Sequence, residues 1–449
     1  MASLADTLDR IKLDPFAFLD RPFIEQAARD AGHRWREREL DPATTLALFV
    51  QQVIAGNVPC TAVRHLAGRS FSASAYCQAR ARLPLSVYQE MLHRVHELGV
   101  LPSIGKAEHR WRGHRTFHVD GSSFSMPDTP QLQAAFGYPS GAAQGCAFPV
   151  AHLLVLFSAS TGLLLDAFAS PLRTGDLEEI PELHLHLDEG DILIGDDNFS
   201  GYTHLALLVA AGLHGLFPLQ HCRIVDFTPR RRHVSEHHAN PGLPRSRWIR
   251  SLGENDQIVE YFKPRQKPAW IDQQRYDALP ESIQVREFRR TVTLPCGKRR
   301  SLTMVSTLLD GNAYPAQELT ELRRLRWDVE TNLRHLKITM GLDVLRCKSE
   351  SGVRKELCVF CLVYNLVRLV MLEAAARQKV AVARVSFADA LRWMRCARPG
   401  DRLPPLVLNP LRRDRLEPRC RKRRPKKYPL MNKPRAKLRK ALKKQAKRR

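Results

Sequence analysis

The sequence has no long apolar run: no segment reaches the roughly 18 uninterrupted apolar residues of a membrane-spanning helix. The nearest, Cys358 to Leu372, is broken by Asn365 and Arg368, so no membrane partner is expected. A paired cysteine framework is missing too. The ten cysteines are scattered, which excludes a disulfide-stapled scaffold and fits reduced thiols. The single Cys-x-x-Cys, Cys358 and Cys361, lies in that apolar run with no second pair nearby, and reads as buried thiols rather than a zinc site. The first ten residues carry acids where a secretory leader would have a basic and then an apolar stretch, so a cytoplasmic location is expected.

Acids are also scarce. Against 71 Lys+Arg stand 46 Asp+Glu, a net charge of +25 that calls for a polyanionic partner, nucleic acid first. Residues 421 to 449 hold sixteen Lys/Arg and no acid, yet the rest of the chain remains basic at +9.

A chain of 449 residues suits two to three domains. Residues 1–108 read as a helical domain, with helices led by Pro42, ended at Gly68, capped by Ser72 or Ser74, and resumed at Pro84. Gln78, Arg80 and Arg82 on one of these short helices suit contact with DNA; a plain bundle with solvated basic residues fits them equally. From Arg115 the pattern turns to strands: Thr116 to Asp120, then Phe148 to Ser158 and Leu163 to Ser170 around the turn Thr161-Gly162. A helix over Leu177 to Leu187, strand Asp191 to Gly195, helix Tyr202 to Ala211 and strand Gly215 to Leu219 follow. Three strands, helix, strand, helix, strand is the order of an RNase H-like core. The expected fold is therefore α/β, an RNase H-like catalytic domain over 109–400 with a β-rich insertion at about 220–310. A basic, disordered or loosely helical tail over 401–449 completes it.

Asp120 follows Phe117-His118-Val119, and Asp196 follows Ile192-Leu193-Ile194-Gly195. A carboxylate at the end of an apolar strand is costly unless something pairs with it. On neighbouring strands the two would converge and bridge a divalent cation. A helix expected from Pro315 to Thr339 carries Arg323, Arg326, Glu330, Arg334 and Lys337 at spacings of three and four, one face with a lone acid among cations. On an arbitrary helix that is a solvated, salt-bridged face. Opposite two aspartates it becomes a third metal ligand flanked by phosphate-binding cations.

Arg326-Trp327-x2-Glu330-x6-Lys337 resembles the Tyr-x2-Arg-x3-Glu-x6-Lys signature of bacterial insertion-sequence transposases of the "insertion sequence four" group. Val119-Asp120-Gly121-Ser122 and Gly195-Asp196-Asp197-Asn198-Phe199 resemble that family's aspartate segments. The likeness takes in Tyr76 to Arg80 early and Tyr364 to Arg368 late. It implies a DDE transposase in which Asp120, Asp196 and Glu330 are the catalytic metal ligands for two Mg2+ ions, with Mn2+ as a substitute. Arg323, Arg326, Arg334 and Lys337 would contact DNA. The implied partners are transposon terminal inverted repeats and target DNA, with a homodimer in the synaptic complex. Two departures stand out: Arg323 occupies the signature's Tyr position, and Asp197 stands where the family commonly has Arg. The rival readings are an RNase H-like hydrolytic nuclease without strand transfer and an inactive DNA-binding relative.

Overall fold

The computed structural model describes residues 21–68, 70–100, 110–141, 145–234, 242–293, 299–324, 327–397, 401–410 and 431–446. Helices open it: α1 (Arg21–Asp30), α2 (Pro42–Ile54), α3 (Cys60–Ala67), α4 (Ala73–Arg82) and α5 (Leu85–Val100). Their ends follow from the residues there. Asp41 accepts the Thr44 N–H ahead of Pro42, Gly68 closes α3 at a left-handed φ of 58°, and the Ser72 hydroxyl caps α4.

Next come β1 (Thr116–Ser125), α6 (Pro130–Phe136), β2 (Val150–Ser158), β3 (Leu164–Pro171), α7 (Asp176–His184), β4 (Ile192–Ile194), α8 (Tyr202–Ala210) and β5 (His214–Pro218). The expected insertion supplies β6 (Arg247–Gly253), β7 (Asp256–Phe262), α9 (Gln273–Asp277), β8 (Ser282–Thr293) and β9 (Arg299–Ser306). Only β8 and β9 of these are apparent in the sequence. All nine strands form one sheet in the order β3-β2-β1-β4-β5-β9-β8-β7-β6. β2 is antiparallel to both β1 and β3, whereas β4 runs parallel to β1 and β5. Because β9 pairs antiparallel with β5, the insertion prolongs the sheet instead of building a layer of its own. The buried Arg286 guanidinium fixes it in place, gripping Asp256 with Nε 2.7 Å from Oδ1 and reaching the Tyr314 carbonyl at 2.6 Å.

The helix expected from Pro315 to Thr339 is described as α10 (Ala316–Arg324) and α11 (Trp327–Arg334), with residues 325 and 326 between them outside the described set, and it ends in a π-helical turn, His335–Thr339. The wider turn shifts the phase of every residue after Arg334 relative to a regular α-helix. α12 (Glu350–Gln378), α13 (Phe387–Cys396) and α14 (Arg435–Ala446) complete the chain. α12 is long and apolar enough to cross a membrane, but 94% of its most apolar stretch is buried inside the protein. The polar residues that interrupt it serve the β2–β3 turn. Asn365 accepts the Leu164 N–H at 2.8 Å and donates to the Leu164 carbonyl at 2.7 Å; Tyr364 donates to Gly162 O at 2.9 Å and Arg368 to Thr161 O at 3.2 Å. Cys358 and Cys361 are buried free thiols, as their setting implied.

The main apolar cluster joins α1, α2 and α5 to β1–β3, α11, α12 and α13. Helices of the expected N-terminal domain thus share a core with the sheet. Residues 401–410, read from sequence as the start of a disordered tail, pack back: Leu406 is buried, and the Val407 N–H donates to Asp389 at 2.9 Å. Residues 411–430 lie outside the described set; of the remainder, 435–446 form the exposed helix α14.

Candidate active site

The site begins with strand parity. β1 and β4 pair as Thr116↔Ile192, Phe117↔Leu193 and His118↔Ile194. Asp120 and Asp196 each lie two residues beyond the last of these pairs, so they stand level on adjacent parallel strands: Asp196 just past the end of β4, and Asp120 midway along β1, which runs on to Ser125 instead of ending at Asp120 as the sequence suggested. Alternation then assigns the faces. Phe117, Val119 and Leu193 pack into a cluster with residues of α7 and α8. Ile192 and Ile194 pack the other way, against Ala316, Leu319 and Leu322 of α10. Asp120 and Asp196 share the parity of Ile192 and Ile194, which turns both to the side of α10 and α11.

Each aspartate is half-buried and oriented by neighbouring backbone. Asp120 Oδ1 accepts the Gly121 N–H at 3.2 Å, and Asp196 Oδ1 accepts the Asn198 N–H at 3.0 Å. The glycine beside each has little room for a side chain. A Cβ on Gly121 would sit 2.3 Å from Asp176 Oδ1, and one on Gly195 would sit 2.5 Å from the Phe199 ring. Close packing beside the two strands therefore holds both carboxylates.

Glu330 is on α11, which packs on β1. Val329, Leu333 and Leu336 are buried in the main core, and the exposed Glu330 and Arg334 with the half-buried Lys337 border that stripe. Lys337 Nζ donates to Ser122 Oγ at 2.8 Å, and Ser122 shares a parity with Asp120. Burial lowers the Lys337 pKa, with Asp343 opposing it. This contact lays the end of the helix over the strand face that bears Asp120. In the sequence Ser122 stands out only as part of a motif; counting two residues on from Asp120 finds it.

The remaining expected contacts are less uniform. Arg323 is half-buried at the end of α10, Arg334 is exposed, and Arg326 lies outside the described residues. Asp197 opens a 3-10 turn whose N-cap is Asp196. Arg80, grouped in the sequence with Gln78 and Arg82 as a possible DNA contact, belongs to the interior. Its guanidinium lies 3.4 Å from the centre of the Phe49 ring and donates to Gln52 Oε1 at 3.0 Å. It positions α4 and is not available to a phosphate; Gln78 and Arg82 are exposed.

Among the described residues the three carboxylates do not come within 4.8 Å of one another as a group, and cations among them would offset the repulsion that closer approach brings. All-oxygen ligands of this kind suit a hard divalent ion.

Comparison with known proteins agrees with this chemistry. Residues 111–366 match the family model described as Transposase DDE domain. Over 377 residues the chain is 26% identical to transposase InsG for insertion sequence element IS4 of Escherichia coli (strain K12), covering 79% of this chain and 78% of that protein. A putative transposase InsZ of the same strain is 27% identical over 111 residues, 24% of this chain and 37% of InsZ. Among solved structures, a piggyBac transposase synaptic complex with hairpin DNA, determined by cryo-EM, aligns with a TM-score of 0.38 and 10% identity over 88% of this chain and 80% of that one. That likeness is too distant to add weight. The family match spans more than half of the 449 residues and takes in Asp120, Asp196 and the helix of Glu330: the chain belongs to the transposase DDE domain family.

Proposed function

We propose that this DDE transposase cuts DNA at transposon ends and joins the freed strand to target DNA, using Asp120, Asp196 and Glu330 on an RNase H-like core. The observation that carries the reading is the level placement of Asp120 and Asp196 on adjacent parallel strands, with α11, the helix of Glu330, packed on β1. The strand order β3-β2-β1-β4-β5, with β2 antiparallel, supports the RNase H-like assignment.

Family membership brings dependence on a divalent metal, and the oxygen-only donor set favours Mg2+, with Mn2+ as a substitute. Bound there, such ions activate a nucleophilic oxygen and steady the leaving oxygen of the phosphodiester. The chain's own residues do the rest. Asp120 and Asp196 would hold the ions from adjacent interior strands, and Glu330 would complete the ligand set from the helix. Arg323, Arg326, Arg334 and Lys337 hold strand phosphates so that the scissile phosphorus is presented in line. In cutting, the water oxygen bonds to phosphorus and the 3′-oxygen leaves with a proton. In joining, that 3′-hydroxyl becomes the nucleophile and a target-strand oxygen leaves. The active assembly is a homodimer that holds two terminal repeats.

Glu330→Gln tests the reading. The variant should shift end-bearing DNA as the parent does but cut none of it in Mg2+, because binding is spread over many phosphate contacts. Parental cleavage by the variant would remove Glu330 from the site. Cutting by the parent protein without joined products would favour the hydrolytic nuclease.

A further inference from the structure

Away from Asp120 and Asp196, His93 on α5, Asp166 on β3 and His186 just after α7 bring one ligand atom each within 4.8 Å of one another. Among the described residues no other His/Cys/Asp/Glu group converges in this way. We propose that these three side chains form a second, transition-metal site, filled by Zn2+, that clips helix α5 to the edge of the sheet.

The geometry points the same way for each ligand. Asp166 Oδ1 is engaged by the Ala167 N–H at 2.6 Å, which leaves Oδ2 as the free donor. His93 Nε2 lies 3.4 Å from Oδ2 and His186 Nε2 lies 2.9 Å from it. With metal–ligand bonds of about 2.0–2.1 Å, the ligand–ligand edge of a tetrahedral zinc site is about 3.4 Å. The His93 edge already matches, and the His186 edge needs to open by about half an ångström at a residue carried on a turn. The imidazoles converge instead of stacking, their centroids 4.9 Å apart and their planes tilted by 54°. Asp166 is only 5% exposed, whereas His93 and His186 are 33% and 25% exposed, so the fourth position is open to water.

A buried carboxylate needs compensation. Two imidazoles offered to one oxygen can supply protons to it or can share a cation with it. Imidazole nitrogen selects zinc and its neighbours over Mg2+, so this site and the carboxylate-only site would take different ions from one solution. Its three ligands come from segments far apart in sequence: a helix of the N-terminal half, the edge strand β3, and the turn leading toward β4. A metal there would tie together the elements on which α5 and the sheet meet.

The test uses the full chain without a histidine tag, stripped with EDTA and returned to excess Mg2+ to occupy the carboxylate site. Zn2+ should bind at one equivalent and raise the thermal midpoint, and Co2+ should give the visible absorption of a tetrahedral nitrogen–oxygen complex. His93→Gln and His186→Gln should each weaken Zn2+ binding on the order of 100-fold or more, loss of a direct ligand exceeding the 10- to 100-fold typical of outer-shell changes. Both histidines are partly exposed, so the folds of these variants can be verified by circular dichroism. Equal Zn2+ affinity in the parent and the His93→Gln/His186→Gln double variant, or no binding by the folded parent, would overturn the proposal.

Discussion

At the scale of single residues the site rests on parity and on small size. Lys337 is tied to Ser122 at 2.8 Å, so its ammonium is held over the strand face of Asp120 before any DNA arrives. Lys337→Ala is expected to slow cleavage by about 10- to 100-fold while metal-dependent activity persists, since a misplaced strand costs rate and not the reaction itself. Single-turnover cleavage under sub-saturating DNA measures this, and equal rates would reduce the helix face to solvated charge. The aspartates draw notice in the sequence because apolar runs deliver them, and Glu330 because it is a lone acid in a cationic stripe; what the structure adds is the level pairing of the two aspartates. Arg80 was not legible. Its partners, Phe49, Gln52 and the Cys347 thiol at 3.1 Å, come from elsewhere in the chain, and nothing local marks that arginine as interior. The His93, Asp166 and His186 group was hidden for the same reason, being made only when three distant segments meet.

Among elements, α12 has the most to hold. Asn365 is fully buried and satisfies both the N–H and the carbonyl of Leu164. Asn365→Ala should destabilise the protein by about 2–4 kcal/mol, the cost of leaving two buried backbone groups unpaired. Urea unfolding checks it, and a loss below about 1 kcal/mol would mean that water replaces the amide. A second test concerns α7 and α8, where His184 and His204 stack with Nε2 atoms 3.2 Å apart. Burial holds His184 down at about 3 and His204 at about 4, so both fold as neutral rings. Burial likewise holds His96 and His335 at about 4. Since the unfolded value is about 6.5, their contribution is complete above that pH. It is lost as pH falls toward 4, because the unfolded chain takes up protons that the folded one refuses. The unfolding free energy from urea titration should therefore drop between pH 7 and pH 5, by up to about 1.4 kcal/mol per pH unit for each ring, and the urea midpoint with it. A flat midpoint would show these rings protonated in place. Helix starts at Pro42 and Ser72 and the buried strands were readable from caps and apolar runs. β6 was not: its side chains are half-buried or exposed throughout, so an edge strand left no periodic trace. The π-helical turn after Arg334 was equally silent, because sequence spacing is read on a regular 3.6-residue helix.

For the whole molecule, charge and cohesion set the behaviour. The sixteen cations of residues 421 to 449 should add affinity for any duplex without regard to sequence. Removing that segment is expected to weaken binding and flatten the dependence of log affinity on log salt, by about 0.9 for each phosphate that is no longer neutralised. An unchanged slope would mean that the segment does not touch DNA. The shared core leads elsewhere. α12 packs against α2 and α5 on one side and β3 on another, and the same apolar cluster reaches β1. A load placed on the amino-terminal helices would therefore be borne by the same core that supports the sheet. The amino-terminal helices and the strand that carries Asp120 are thereby parts of one beam.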